Sequence, residues 1–410
     1  MGTAALRRLR RSGGVLLAGV LLANVVAEVV RALRDAFNTD FLSSFFAAAD
    51  MLRHGDHAIY CSACLQAHTQ QLLGTGVPIF PFQYDNPPIG AWMLQPLTYL
   101  SPRTALGIFL AVSLAAVAVA AWLLLRDEPI RDRGRALTAV AALASLPAAM
   151  SFAYGQWDPL LLPAAAGAYL ALRRDREVLA GILLSVMLLK PQLVWFLPIV
   201  MAIGGRWRVV AGVAIGGVVA AGSTVAILGW SGAEEWLHQI SPNIVARPGT
   251  SLPHMLVVFG AGPDVVLAVS LALGAGAALA LVRRRAWVRA LSGEQLVSSG
   301  LLLSTLAAPH LLPYDLLIAA PVLVLWSRDR QTHALVAALA LSAAFLVDIA
   351  LPASWAVVEA ATLAGVAVLY VSDMTPRQPL TRRSGGSGRP QLRARADTGR
   401  TIPGTKRTAA

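Results

Sequence analysis

The chain is built from apolar runs, at 13–30, 103–125, 136–151, 157–172, 178–190, 191–205, 208–229, 263–282, 294–308, 311–326, 333–350 and 353–371. Crossing a bilayer takes about 20 mostly apolar residues, so about twelve spans are expected, several of them short. The 410 residues are 56% hydrophobic and 14% charged, with mean hydropathy +0.62, more apolar than a water-soluble domain of this size. The fold class expected is an all-α polytopic integral membrane protein. No small-residue cleavage site follows the first run, which therefore reads as a span rather than a signal peptide.

Orientation follows from the short basic loops. Arg7, Arg8, Arg10 and Arg11 precede the first run; Arg126, Arg131, Arg133 and Arg135 follow the second. Arg173, Arg174 and Arg176, then Arg206 and Arg208, then Arg283, Arg284, Arg285 and Arg289, and finally Arg328 and Arg330 fill further alternate loops. With twelve spans, all of these loops and both termini fall on one side, the cytoplasm. The other side receives a long first loop (31–102), 152–158, the turn at Lys190, a second loop (230–262), the turn at His310, and 351–352. A multi-pass plasma-membrane protein working at its outer face is expected. The 372–410 tail carries nine Arg and Lys against Asp373 and Asp397 and is rich in Gly, Ser, Thr and Pro. It reads as a disordered basic cytoplasmic tail touching anionic headgroups rather than nucleic acid.

The polar residues that could do chemistry gather on the expected outer side. Asp40 opens the long loop and is followed by Phe41, Phe45, Ala48, Ala49 and Leu52 at helical spacing, up to Gly55. Two readings stand for Asp40: an N-cap of an amphipathic helix lying in the interface, or a base facing a lipid-borne substrate. Tyr84 and Asp85 lead through Asn86-Pro87-Pro88 into Ile89–Leu100, a segment expected to dip at the surface. Gln156, Trp157 and Asp158 form one tight turn, with Trp157 also suited to an interfacial aromatic belt. Lys190, next to Pro191 and Gln192, is one of only two lysines, the other being Lys406, among 34 Lys and Arg. A compact ammonium on the side poor in cations suits a phosphate, unless it merely snorkels. His310, Tyr314 and Asp315 form a last cluster at the bilayer edge, where ionisable groups are costly and tend to be functional. Cys61 and Cys64 are spaced C-x-x-C; His54, His57 and His68 lie near but irregularly, so a small disulfide is favoured over zinc. There is no D-x-D motif, Walker motif or dinucleotide fingerprint, which argues against a metal-bound nucleotide diphosphate donor.

These motifs, in this order, resemble glycosyltransferase family 87. The resemblance rests on Asp40 with Phe45-Phe46-Ala47-Ala48-Ala49, Leu52, Gly55 and Ile59-Tyr60. It continues through Phe82-Gln83-Tyr84-Asp85-Asn86-Pro87-Pro88 with Pro96-Leu97, then Gly155-Gln156-Trp157-Asp158-Pro159-Leu160. Ala180-Gly181-Ile182-Leu183-Leu184 with Lys190-Pro191-Gln192, and His310-Leu311-Leu312-Pro313-Tyr314-Asp315, complete it. It covers roughly 13–371 and departs at Cys61-Ser62-Ala63-Cys64, where the family often has an Asp. The family includes polyprenyl-phosphate-mannose-dependent α-mannosyltransferases and an arabinofuranosyltransferase. The resemblance implies a GT-C transmembrane domain over 1–371 and an inverting sugar transfer, most often of mannose, from a polyprenyl phosphate to a lipid-linked or glycan acceptor. It implies Asp40 as catalytic base and Lys190, His310, Gln156 and Tyr314 on the donor phosphate. Tyr84, Asp85, Asp158, Gln192 and Asp315 become acceptor or loop contacts, and no cofactor or metal is needed. A transporter would also have about twelve spans, but should show repeated halves, which are not seen; a scaffold would not need ionisable groups gathered on one face.

Overall fold

The computed structural model describes residues 3–74, 83–126, 133–243, 249–350 and 355–374. Phe82, Arg131, the 351–352 turn and the 375–410 part of the basic tail lie outside the described residues. The chain divides into two units, Met1–Pro376 and Arg377–Ala410, of which the second lies wholly outside them.

Among the described residues there are helices and no strands. The α-helices are α1 Thr3–Arg34, α2 Ala47–Arg53, α3 Ser62–Leu73, α4 Pro88–Leu94, α5 Pro102–Leu125, α6 Arg133–Leu143, α7 Leu146–Tyr154, α8 Asp158–Arg173 and α9 Glu177–Ser185. They continue with α10 Leu197–Ile203, α11 Trp207–Asn243, α12 Pro263–Arg283, α13 Arg285–Ala290, α14 Gly293–Leu306, α15 Ala320–Trp326, α16 Gln331–Ala350 and α17 Trp355–Asp373.

Among the described residues, six helices are long and apolar enough to cross a membrane: Gly14–Arg34, Pro102–Leu125, Gly134–Tyr154 across the α6–α7 joint, Trp207–Gln239, Pro263–Arg283 and Ala356–Asp373. Of the other six apolar runs, five form helices that are shorter or interrupted, while 333–350 lies on the 20-residue α16. The causes are local. The runs 178–190 and 191–205 become Glu177–Leu189 and Pro191–Ile203, parted at Lys190, where Pro191 removes a backbone donor. The run 311–326 starts as a 3-10 turn, Pro313–Ala319, before α15. Within 136–151 the chain breaks between α6 and α7, where Ser145 caps the new helix by accepting from Ala148 N, with Pro147 in the first turn.

Packing follows from small residues. In α9 and α11, Gly181 and Gly212 face each other so closely that a Cβ on either would overlap backbone of the other helix. With lipid outside, close backbone approach of this kind replaces hydrophobic drive as the source of helix association. Further contacts join α5 to α8, α8 to α9, α1 to α6 and α7, α10 to α14, α14 to α17, and α16 to α6 and α17. α14 begins with a full capping box, Ser292 accepting from Gln295 N and the Gln295 side chain accepting from Ser292 N.

The segment after Asp40 departs from expectation. It is a π-helix, Phe41–Phe46, running into α2, and every residue from Phe41 to Leu52 is buried. An interfacial amphipathic helix would keep one polar face in water. Here Phe41 stacks on Phe109 at 4.6 Å and Phe45 on Trp157 at 5.6 Å, while Ala47, Ala48 and Ala49 let neighbours close in on the remaining sides. Asp40 is helical in backbone and makes no capping hydrogen bond, which removes the N-cap reading. α4 is half-buried: Gly90, Ala91 and Leu94 face inward, while Trp92 and Met93 are exposed.

Candidate functional site

The site starts at a backbone device. Gly155 ends α7 with φ 67°, in the left-handed region, and a Cβ there would lie 2.7 Å from Phe41 Cβ. Only glycine meets both demands. The turn it allows sets Gln156, Trp157 and Asp158 side by side at the start of α8, all buried.

These three side chains go to different partners. Gln156 Nε2 donates to Asp40 Oδ2, bringing together residues 116 positions apart. Trp157 is enclosed by Phe45 and Phe109, so it is a wall of the site and not part of an interfacial belt. Asp158 Oδ2 accepts from Lys190 Nζ at 2.6 Å.

Lys190 has 4% of its surface exposed and so does not snorkel. Its ammonium also donates to Asp315 Oδ1 at 2.6 Å and lies 4.6 Å from the centre of the Tyr314 ring. The other Asp315 oxygen accepts from Leu312 N at 2.8 Å, which fixes the carboxylate to its own turn. Tyr154 packs on Tyr314 at 6.1 Å, and Ser151 Oγ donates to Tyr314 O, so α7 supports both halves of the cluster. The result is one ammonium clasped by two carboxylates. That geometry can satisfy buried charge, since each partner compensates the other's lost hydration.

The first loop supplies the rim. Tyr84 is buried; its hydroxyl donates to Pro87 O at 2.9 Å and accepts from Ala91 N at 2.8 Å. It therefore ties down the 83–91 segment. Tyr60 does the same from the other side, donating to Asn86 O and stacking on Tyr84 at 5.7 Å. Asp85, next to Tyr84, keeps exposed surface but has protein packed closely around its carboxyl. That desolvation, with the nearby Asp40 charge second, lifts its carboxyl to about 7. Trp236, past the break at Gly229 in α11 (φ 73°), donates its indole N–H to Asp85 O. Asp40, Asp85, Asp158 and Asp315 all lie within electrostatic reach of the Tyr314 hydroxyl. The centre thus holds four carboxylates around Tyr314, two of which, Asp158 and Asp315, clasp Lys190.

Other sequence candidates fall as follows. His310 is half-buried and packs against His254, ring centres 4.7 Å apart, at the edge of this cluster. Gln192 sits half-buried in the turn Pro191–Leu193. Cys61 and Cys64 form a disulfide at the start of α3. His68 and His54 go to Asp50, not to the cysteines: His68 Nε2 lies 3.0 Å and His54 Nδ1 3.4 Å from Asp50 Oδ2, with Arg53 on the other oxygen. Burial raises the Asp50 carboxyl, but the hydrogen bonds from Arg53 and His68 outweigh it and leave it below its ordinary value. Among the described residues no group of three or more His, Cys, Asp or Glu is arranged to hold a metal ion.

The sequence reading passed over His254, fully buried, and Glu359, 1% exposed inside α17. An acid within a long apolar run was a readable signal for Glu359. His254 had none beyond its place in the second loop.

The model of glycosyltransferase family 87 matches residues 84–309, more than half of the chain. The match takes in Tyr84, Asp85, Gln156, Asp158 and Lys190, stops one residue short of His310, and leaves Asp40 outside. Among curated proteins and among solved structures, no match is found.

Proposed function

The chain belongs to glycosyltransferase family 87 and is a glycosyltransferase with membrane helices, and we propose that it moves a sugar, most often mannose in this family, from a polyprenyl phosphate to a lipid-linked or glycan acceptor. The fold proposed is GT-C, with the shorter helices completing about twelve crossings, the site at the outer face of the plasma membrane and both termini in the cytoplasm. The observation that carries the reading is the convergence at Asp40. A buried carboxylate, steadied through one oxygen by Gln156, stands beside a separate charge cluster built from three other elements.

In the proposed reaction Asp40 takes the proton of an acceptor hydroxyl as its oxygen attacks the anomeric carbon. The bond from that carbon to the phosphate oxygen breaks on the opposite face, and its electron pair leaves with the polyprenyl phosphate. The configuration inverts, so a β-linked donor gives an α product. Gln156 keeps Asp40 aimed. Lys190 gives two of its three N–H donors to Asp158 and Asp315, sets the shape and charge of the floor, and keeps the third donor for a phosphate. His310 and Tyr314, both half-buried, are the proposed phosphate contacts. Asp85 and Gln192 face the acceptor side.

The test is transfer of radiolabelled mannose from polyprenyl phosphate mannose into membrane lipid, with and without the protein. Transfer that depends on the protein is expected. Transfer only from a polyprenyl phosphate arabinose would move the assignment to an arabinofuranosyltransferase, and net movement of donor lipid across vesicles without transfer would move it to a transporter.

A further inference from the structure

The turn 249–254 is bound along the segment that carries His310 by a row of contacts that the proposed reaction does not use. Leu252 N donates to Leu306 O at 3.1 Å, Ser251 Oγ to Ala308 O at 2.6 Å, and Thr250 N to Leu311 O at 2.9 Å. Thr250 Oγ1 adds a second donor to Leu311 O, and Ser270 Oγ holds Ala307 O from α12. Thr250, Ser251 and His254 have no exposed surface. A Cβ on Gly249 would overlap both His254 Nδ1 and Leu311 O, so the turn closes without room for a side chain there.

His254 is the end of this row. Its Nδ1 lies 3.0 Å from Leu311 N and 3.1 Å from Leu311 O. The carbonyl already receives two donors from Thr250, whereas the amide N–H has a fixed proton to give. Nδ1 therefore accepts from Leu311 N, and the ring carries its proton on Nε2. The ring so fixed lies against His310, centre to centre 4.7 Å at 46°. On the far side of the same turn, Leu312 N is held by Asp315, which is held by Lys190. His310 thus stands between the anchored Ala308 and Leu311, with its ring backed by His254.

We propose that His254 is a positioning residue for His310, and that the turn 249–254 is the clamp through which it acts. The inference rests on the reading of His310 as a contact for the donor phosphate, and deepens it. His254 itself touches no substrate. It spends its acceptor on the backbone and offers its ring face as the surface that fixes the His310 side chain, so that the ligand meets an imidazole already in place. The ligand class is a phosphate monoester or diester on a polyprenol.

The experiment uses the purified full chain and a polyprenyl phosphate as probe, which removes the identity of the sugar from the question. Binding is measured for wild type, His310→Ala, His254→Phe, His254→Asn and the His254→Phe/His310→Ala double variant, with thermal unfolding of each. His310→Ala should weaken binding roughly tenfold to a hundredfold, as expected for a hydrogen bond to a charged group. His254→Phe, which keeps a ring but loses the acceptor for Leu311 N, should weaken it about tenfold. His254→Asn keeps an acceptor where Nδ1 stood and should recover part. In the His310→Ala background, His254→Phe should add nothing further, because a residue acting only through His310 has no route left. Equal weakening by His254→Phe in both backgrounds, or unfolding of both His254 variants, would assign His254 to the fold and overturn the proposal while leaving His310 in place. Wild-type binding by His310→Ala would instead remove the phosphate reading of His310, and the proposal with it.

Discussion

Lys190 and Asp315 stand 125 positions apart in sequence and meet at 2.6 Å, with Asp158 at the same distance on the other side of the ammonium. Neither carboxylate has appreciable exposure, and each hydrogen-bonds this one ammonium.

Lys190→Met is accordingly expected to act first on stability. Removing one partner of a buried ion pair costs about 3–5 kcal/mol, since it strands the other charge. Thermal unfolding in detergent should show a large drop, recovered in good part by adding Asp158→Asn and Asp315→Asn, which empties the cluster of charge. A Lys190→Met protein with wild-type thermal stability but poor donor binding would show instead that the ammonium serves the phosphate directly.

Asp40→Asn should fold normally. Asp40 makes no capping bond, and an Asn oxygen can still accept from Gln156 Nε2. Sugar transfer should fall by about 10²-fold or more if the carboxylate is the base. The measurement is initial transfer rate at matched protein level, alongside unfolding temperature. Near-normal transfer would shift the search for a base to Asp85.

The Asp85 carboxyl gives a pH signature. Its value is about 7 in the folded chain against 3.8 for the ordinary group, so the native state binds the extra proton between those limits. The associated stability is full below pH 3.8 and declines as pH rises, gone once the group ionises above about 7. Asp85→Asn should flatten that decline, and unfolding temperature across this pH window is the readout. Asp40→Asn removes the second cause of the shift and should reduce the decline without abolishing it. An identical pH slope in wild type and Asp85→Asn would place the proton elsewhere.

Single cysteines at Asp56 and Arg284, both exposed, test the proposed orientation. A membrane-impermeant thiol reagent should label Asp56→Cys in intact cells and Arg284→Cys only after lysis. Labelling of both from one side would discard the arrangement drawn from the basic loops.

What could be read from sequence and what could not divide along physical lines. Apolar runs are local, and among the described residues each of the twelve lies largely on helix, because a long stretch of such residues has few other ways to satisfy its backbone in lipid. Where runs broke, the local cause was also visible at Ser145 and Pro147 and at Pro191. The residues of the centre were nameable one by one, since acids and a rare lysine beside apolar runs are conspicuous. Their pairings were not. Nothing near Lys190 announces Asp158 and Asp315, and nothing near Asp40 announces Gln156; such contacts depend on how whole helices pack. The misreading at Asp40 has the same origin. The spacing of Phe41, Phe45 and Leu52 fits a one-sided helix, and only the arrival of Phe109, Trp157 and Tyr84 from elsewhere encloses it. His254 is the extreme case, an isolated histidine whose surroundings come from chain more than fifty positions away.

The bare contact between Gly181 and Gly212 serves as a reference plane for the floor of the site. Two backbones that touch without side chains between them leave no tolerance in their spacing, and α9 leads directly to Lys190. The height at which the ammonium arrives between its carboxylates is therefore gauged from that contact. An alanine at either glycine, chemically mild and remote from Asp158 and Asp315, would shift the whole assembly out of alignment.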